Sequence, residues 1–283
     1  MNSDTPQHMY SAVPPTKMRN REEKFREAKN SPFWHFVGDI VFPKMIEARF
    51  YSVMYKNLER LEKRDTTRAT IFYAPHNNWW DGVLAYNIVY RIIKKVIKKP
   101  RFRFMIEEMN RFPLFQYVGC FPINKKSPQA SMKFLRYAVT TLKDPDIAFW
   151  IFPQGIIRPP MYRPEIFQSG LAYIVKEAVK QFGGVNLVPV AINYTFLRQD
   201  RPEILIEFGE PRVVNDPSLN RKDFTHMLER EFEHFLDKQQ SDISSANFEG
   251  YHYLYRQKLK WWRYIEQKLK AKGLKNKEII DLK

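Results

Sequence analysis

Six short apolar runs in the central part of the chain have the length and residue types of β-strands. They are ATIFYA (69–74), RFRFMI (101–106), CFPIN (120–124), IAFWIF (147–152), LVPVAINY (187–194) and EILIEFG (203–209). Stretches with helical spacing of apolar positions separate most of them, at 80–98, 127–143, 168–182 and about 218–238. Strands that alternate with helices of this length predict an α/β fold with a mainly parallel central sheet flanked by helices.

The beginning of the chain departs from this alternation. Residues 1–30 are polar, carry prolines and show no buried pattern, so we expect a flexible arm. Residues 31–64 mix bulky apolar side chains with charges at helical spacing and are interrupted by Pro43, which predicts a hairpin of two short helices. These bounds leave residues 65–240 for the α/β domain.

The last segment, 241–283, has the pattern of a basic amphipathic helix. Apolar side chains recur in it at about the helical period: Tyr251, Leu254, Leu259, Trp262, Ile265 and Leu269. Cations lie between and opposite them: Lys258, Lys260, Arg263, Lys268 and Lys270. We expect this helix to lie on a membrane surface, with its tryptophans at headgroup depth.

The charge balance narrows the class of partner. The net charge is +16, from 47 Lys and Arg against 31 Asp and Glu, which indicates a polyanionic partner. The chain also has 22 Phe, 15 Tyr and 6 Trp, which suit either base stacking or the boundary between water and a bilayer. The partner is therefore expected to be a nucleic acid or an anionic membrane surface.

The location follows from cysteine usage and hydropathy. Cys120 is the only cysteine, so neither an intrachain disulfide nor a thiolate metal cluster can form, and an intracellular location fits best. Residues 1–30 lack the apolar core of a signal peptide, and no window reaches about 18 apolar residues. We expect a peripheral, monotopic protein on the cytoplasmic face of a membrane.

The segment HNNWWD (76–81) carries the candidate chemistry. His76 follows a strand-like run and a proline, while Asn77 or Asn78 can cap a helix that begins nearby. In one regular helix, side chains five positions apart point roughly 140° apart, so the pair needs a bend between them. At such a bend Asp81 can accept from one imidazole nitrogen of His76 and leave the other nitrogen basic.

This pair is half of a triad without its nucleophile. The sequence has no G-x-S-x-G elbow, and Cys120 lies in a strand-like run. The nucleophile would then be a hydroxyl of the substrate. A packed or surface histidine is the alternative, but of the six histidines only His76 lies at a strand end, where open α/β sheets place their sites.

Four motifs, in order, resemble those of the glycerolipid acyltransferases, the group that includes bacterial 1-acylglycerol-3-phosphate acyltransferases. HNNWWD resembles the H-x4-D box, GCFPINK (119–125) the G-x-x-F-I-x-R box, FPQGIIR (152–158) the F-P-E-G-T-R box and LVPVAI (187–192) the hydrophobic final box. The resemblance covers about residues 69–210 and implies that His76 is a general base oriented by Asp81. It also implies an acyl thioester donor (acyl-CoA or acyl-carrier protein), a lysophospholipid or other lipid hydroxyl as acceptor, and no metal or redox cofactor.

The family uses its second and third boxes to hold the acceptor. The resemblance therefore implies a substrate-binding set of Gly119, Lys125, Phe152, Pro153, Gln154, Gly155 and Arg158. Lys125 and Arg158 suit an anionic acceptor group, because an arginine can grip phosphate at two points. The third box departs from the family: Gln154 stands at the glutamate position, and Ile156 and Ile157 stand at the threonine and arginine positions. These departures leave the identity of the acceptor open.

Three regions combine apolar or aromatic side chains with cations that could dock on a membrane: 33–55, 91–103 and the last helix. The alternatives are core packing for 33–55 and a solvated helix face for 91–103. Trp79 and Trp80 present a similar choice, and we expect one to be exposed beside the site and the other to pack in the core.

Other functions remain open at this point. The altered third box favours, as an alternative acceptor, a sugar hydroxyl of a glycolipid or carotenoid glycoside. A nucleic-acid-binding protein is the alternative from another class, but no recognised nucleic-acid motif is present, so no nucleic-acid partner is expected. An inactive membrane tether is disfavoured because both His76 and Asp81 are retained.

Overall fold

The fold is one mixed β-sheet with helices on both faces. The computed structural model describes residues 24–107, 109–123, 128–197, 200–257 and 268. Within these ranges the strands are β1 (Ser52–Lys56), β2 (Thr70–Tyr73), β3 (Arg101–Ile106), β4 (Cys120–Pro122), β5 (Ile147–Ile151), β6 (Val185–Thr195), β7 (Glu203–Phe208), β8 (Arg212–Val214) and β9 (His252–Arg256). The α-helices of the same ranges are α1 (Pro32–Arg49), α2 (Asp81–Asn87), α3 (Pro128–Thr141), α4 (Gly170–Phe182) and α5 (Arg221–Ser244).

The sheet confirms the predicted fold class. Its strand order is β4-β3-β5-β2-β6-β7-β1-β9, with β8 paired to β6 outside this path. Strands β4, β3, β5, β2 and the first half of β6 are parallel, while the second half of β6 pairs antiparallel with β7. All six predicted runs form strands, and all four predicted helical stretches contain helix.

Two apolar layers enclose the central strands. Phe72 and Trp150 pack on one face of the sheet with α2, and Ile71 and Phe149 pack on the other with α3, α4 and α5. All four side chains are fully buried. Strands that are covered on both faces require continuous apolar runs, which explains why the sequence shows little alternation at 69–74 and 147–152.

The predicted helical hairpin at 31–64 is wrong. Helix α1 runs without a break from Pro32 to Arg49, and the chain then forms β1, which pairs with β7. Proline at position 43 removes the N–H that would bond to the carbonyl of Asp39, but that carbonyl accepts a hydrogen bond from Arg91 Nη2 at 2.8 Å instead. A side chain from elsewhere in the fold thus lets the helix continue through its proline.

The predicted C-terminal helix is wrong for residues 245–257, whereas residues 241–244 and Lys268 are helical. Helix α5 extends to Ser244, and His252–Arg256 form β9, which pairs antiparallel with β1. The sequence HYLYR has aromatic residues at every second position, a strand period, and β1 offers it a sheet edge. Residues 258–267 and 269–283 lie outside the described residues.

The structure describes only the last part of the predicted arm (1–30), residues 24–30. Residues 1–23 lie outside the described residues, but Lys29 N–H bonds to the carbonyl of Gln116 and Asn30 forms an antiparallel bridge with Val118. Residues 24–30 are therefore part of the folded unit. Among the described residues no helix has the length and hydropathy that a membrane span needs.

Candidate active site

The structure brings His76 and Asp81 together at the carboxyl end of β2. Ala74 and Pro75 lead out of the strand, His76 follows, and Asp81 begins α2. His76 Nδ1 lies 2.8 Å from Asp81 Oδ2. The carboxylate is completely buried, while 22% of the imidazole side chain is exposed. One end of the pair is thus sealed in the protein and the other reaches the surface.

The hydrogen bonds of Asp81 determine which imidazole nitrogen is free. Its Oδ2 also accepts the backbone N–H groups of Asn77 at 2.6 Å and Asn78 at 2.9 Å, and its Oδ1 accepts the hydroxyl of Tyr194. Backbone N–H groups can only donate, so this oxygen acts as an acceptor, and Nδ1 of His76 carries the hydrogen that bonds to it. Nε2 is then the unprotonated nitrogen of the neutral ring.

The third box is built around the main chain of His76. The N–H of His76 donates to Gln154 Oε1 at 2.6 Å, and its carbonyl accepts the N–H of Arg158 at 2.8 Å. The Phe152 ring stacks on the imidazole, with centroids 4.6 Å apart and an angle of 8° between the planes. Phe152 and Gln154 therefore hold the histidine in place and are buried in doing so.

Gln154 connects the histidine to a buried carboxyl group that the sequence reading missed. Its Nε2 donates to Glu165 Oε2 at 2.7 Å, and Glu165 Oε1 lies 3.4 Å from Arg163 Nη1. Burial raises the pKa of Glu165, while the Gln154 hydrogen bond and the charge of Arg163 oppose that effect. No local motif marks Glu165, which lies 11 positions after the glutamine in the loop before α4.

The two predicted glycines both have a positive φ, a conformation that favours glycine. Gly119 has a φ of +98°, and a Cβ there would lie 2.1 Å from the carbonyl oxygen of Phe102 in β3. Gly155 has a φ of +71° in a turn in which its N–H bonds to the carbonyl of Phe152. Because Gly119 has no side chain, the turn before β4 can lie close to β3. Gly155 allows the chain of the third box to reverse direction after Phe152.

Two further residues of the predicted substrate-binding set, Pro153 and Arg158, lie around this turn. The carbonyl of Pro153 accepts the N–H of Gln168, which closes the loop 153–168. Arg158 places its guanidinium 4.2 Å from the centroid of the Tyr162 ring. Lys125 lies outside the described residues.

Trp79 and Trp80 have different environments, as expected. Trp79 is 46% exposed and lies edge-on to Trp80, with centroids 5.2 Å apart. Trp80 is half-buried and packs against Phe50, and the Arg49 guanidinium lies over its ring. The exposed ring thus stands near His76 while its neighbour joins the core.

Other apolar side chains are exposed around this edge of the sheet. They come from the loop 153–168, from the end of β6 and from the 3₁₀ helix Pro113–Tyr117: Leu114, Ile156, Met161, Ile166 and Phe196. Among the described residues no group of three or more His, Cys, Asp and Glu side chains is arranged to hold a metal ion.

The structure thus places a histidine and a buried aspartate at the carboxyl edge of an α/β sheet. The family model described as Acyltransferase matches residues 52–193, half of the chain. The chain therefore belongs to this acyltransferase family and is an acyltransferase.

The chain also has a similar solved structure. Its structure is similar to the crystal structure of the 1-acyl-sn-glycerophosphate (LPA) acyltransferase PlsC from Thermotoga maritima, with 14% sequence identity and a TM-score of 0.47. That similarity covers 72% of this chain and 79% of the other. No curated protein sequence matches the chain.

Proposed function

We propose that this acyltransferase moves a fatty acyl group from acyl-CoA or acyl-carrier protein to the hydroxyl of a lysophospholipid such as 1-acylglycerol-3-phosphate. The observation that carries the proposal is the His76–Asp81 pair, with its contact at 2.8 Å, a buried carboxylate and a partly exposed ring. The hydrogen-bond pattern leaves Nε2 as the basic atom, which is the arrangement that general-base catalysis on a hydroxyl requires.

In this mechanism Nε2 of His76 removes the proton of the acceptor hydroxyl as its oxygen attacks the thioester carbonyl. A new C–O bond forms, and the resulting tetrahedral species collapses by breaking the C–S bond. The thiolate then takes the proton back from His76, so the ring returns to its neutral state. Asp81 stabilises the transient imidazolium and fixes its orientation. These steps need no metal and no redox cofactor.

The anionic group of the acceptor is assigned to the cations of the second and third boxes. The backbone N–H of Arg158 bonds to the carbonyl of His76, so the main chain that carries the guanidinium lies beside the base. A planar guanidinium can bind a phosphate through two hydrogen bonds, and Lys125 would add a second charge. The exposed apolar side chains around the site suit the fatty chains of either substrate.

We assign docking to the outer face of α1. Phe33 and Phe36 are 65% exposed, and Ile40 and Val41 are 43% exposed, so these four side chains form an unpartnered apolar face on α1. The opposite face of the helix buries Gly38 and Ile46. An anionic leaflet on the cytoplasmic side of a membrane fits this face, because large apolar side chains flanked by cations favour such a surface.

Cations lie beside this face. The side chains of Lys94, Lys95, Lys98 and Lys99 are exposed at the end of the helical segment 81–95 and just after it, and this segment packs against α1 and contacts it through Arg91. Each cation near an anionic leaflet contributes about 1 kcal/mol of attraction. We assign these lysines of the segment 91–103 and the exposed face in the first half of 33–55 to one docking surface, whereas Phe102 and Arg103 are buried. Phe50 and Tyr51 are core residues instead.

The test is an acceptor panel with the full chain. A labelled acyl-CoA and an acyl-carrier protein are each offered with lysophosphatidate, with other lysophospholipids and with a glycolipid or carotenoid glycoside. We expect acylation of a lysophospholipid and a loss of about 10²- to 10⁴-fold in kcat for His76→Ala. His226→Ala is the matched control, since that histidine is exposed on α5.

Each result of the panel decides something. Acylation of the glycoside alone would replace the proposed acceptor by the alternative one. A His76→Ala variant that folds and keeps its full rate would remove the base from the mechanism.

A further inference from the structure

Among the described residues, Tyr194 is the one that forms a hydrogen bond with Oδ1 of Asp81, the carboxylate oxygen that does not contact His76. Its hydroxyl donates to Asp81 Oδ1 at 2.5 Å across 113 positions of sequence. The other carboxylate oxygen, Oδ2, receives His76 Nδ1 and two backbone N–H groups. Tyr194 lies on β6, one residue beyond the segment that the family model matches.

We propose that Tyr194 is a positioning residue that holds the Asp81 carboxylate at the angle at which Oδ2 meets His76 Nδ1. The inference rests on the proposed function, because it assigns a role in the same hydroxyl-activating site. Rotation of the carboxylate about its Cβ–Cγ bond would exchange the two oxygens. A donor fixed to a β-strand on the Oδ1 side opposes that rotation.

The direction of the hydrogen bonds supports this role. A carboxylate oxygen can only accept a hydrogen bond, so the contact of the Tyr194 hydroxyl with Asp81 Oδ1 requires the tyrosine to be the donor. Burial of the hydroxyl and the adjacent carboxylate raise the pKa of Tyr194 well above its usual value. The phenol therefore stays protonated and remains a donor at all physiological pH values.

The surrounding packing fixes the tyrosine itself. Its backbone pairs with Ile204 in β7, and its ring packs against Phe50 at a centroid distance of 5.6 Å. A second link, from Asn77 Nδ2 to the carbonyl of Ile192, ties the same turn to β6 at 3.2 Å. The sheet thus supports the pair from the strand next to β2, as outer partners support other catalytic histidines and carboxylates.

The first measurement is the kinetics of Tyr194→Phe in the full chain. We expect kcat to fall about 10- to 100-fold, since a small misplacement of a catalytic group costs that much, with KM for both substrates within about twofold of the wild type. In an Asp81→Asn background the same substitution should cost less than about threefold, because the two residues act through one path. An equal loss in both backgrounds would show a general structural effect and overturn the proposal.

The second measurement does not depend on turnover. In ¹⁵N-labelled protein the ring signals of His76, identified by their absence in His76→Ala, report which nitrogen carries the hydrogen. We expect a single Nδ1–H form in the wild type and in Tyr251→Phe, a control that removes a tyrosine hydroxyl hydrogen-bonded to Gln239 instead. Tyr194→Phe should show a mixture of the two forms.

The two measurements separate the two proposals. If the wild type acylates no acceptor but Tyr194→Phe still alters the His76 signals, the proposed function fails and the positioning role stands. If the wild type is active and Tyr194→Phe changes neither kcat nor the signals, the positioning role fails and the proposed function stands.

Discussion

The backbone N–H of His76 donates to the side-chain oxygen of Gln154 at 2.6 Å, and the amide nitrogen of the same glutamine donates to Glu165 at 2.7 Å. The side chain at position 154 must therefore accept one hydrogen bond, from His76, and donate another, to Glu165. An amide supplies both, whereas a carboxylate supplies only acceptors. Gln154, which stands where the family motif has a glutamate, thus provides the donor that the buried carboxyl group of Glu165 accepts.

This match predicts the effect of Gln154→Glu. The variant places two carboxyl groups in buried contact, so at neutral pH we expect the unfolding free energy to fall by about 2–4 kcal/mol. The loss should shrink at pH 5, where one proton can be shared between the groups. Chemical denaturation at pH 5 and pH 8 measures both effects.

The double variant Gln154→Glu with Glu165→Gln is the control for this prediction. It exchanges donor and acceptor while keeping one carboxyl group and one amide in the pair. We expect it to recover most of the lost stability at pH 8. If it is as unstable as the single variant, the hydrogen-bond pattern between the two positions is not the cause.

Glu165 itself predicts a pH dependence of stability. Its folded-state pKa is raised by burial, so its contribution to stability is present at low pH and is lost as the pH rises above the ordinary value of 4.5. Glu165→Gln removes this loss, and we expect the variant to gain on the order of 1 kcal/mol relative to the wild type between pH 5 and pH 8. Glu249→Gln, at an exposed carboxyl, should follow the wild type throughout.

Much of the fold and the central pair could be predicted from local sequence. Continuous apolar runs predict the buried strands, and Pro75 with the following asparagines predicts the bend that joins His76 to Asp81. Each of these signals acts over a few residues. The partners of the pair act over longer separations: Tyr194 lies 113 positions from Asp81, and its approach depends on the register of β6 beside β2.

The errors at the two ends have the same physical origin. Pro43 is a local signal for a helix break, but Arg91 satisfies the carbonyl that it leaves free, and α1 continues. Spacing from Tyr251 onward fits a helix locally, but a free edge of β1 favours a strand there. In both cases a tertiary contact outweighs the local preference.

The Gly119 turn predicts a steep loss of stability in Gly119→Ala. A φ of +98° and a Cβ position 2.1 Å from the carbonyl oxygen of Phe102 require the turn to move away from β3. We expect the unfolding free energy to fall by at least about 2 kcal/mol. Gly170→Ala is the matched control, because at the start of α4 its Cβ would meet only Leu135 at 3.6 Å. A Gly119→Ala variant as stable as Gly170→Ala would contradict the steric argument.

The mechanism predicts that chelators leave the rate unchanged. The base is an imidazole and the leaving group is a thiolate, so no step needs a Lewis acid. We expect kcat after dialysis against EDTA to stay within about twofold of the untreated enzyme. A rate that falls tenfold and returns on addition of a divalent cation would assign the metal a role in the reaction.

The apolar face of α1 predicts how the enzyme meets lipid. Replacing Phe33 and Phe36 by serine removes two large exposed side chains from that face, and we expect binding to vesicles with anionic lipid to weaken about 10- to 100-fold. Turnover of substrates in detergent micelles should change little, since neither residue belongs to the site. Vesicle flotation and a micellar assay measure the two effects.

Tyr253→Ser is the control for this surface. Its ring is 49% exposed on β9 and is not part of the apolar face of α1, so its loss should leave vesicle binding unchanged. Vesicles without anionic lipid should bind the wild type more weakly, and replacing Lys94 and Lys98 by glutamine should reduce that difference, because these cations lie beside the face. If the phenylalanine variant floats with vesicles as well as the wild type does, another part of the chain makes the contact with the membrane.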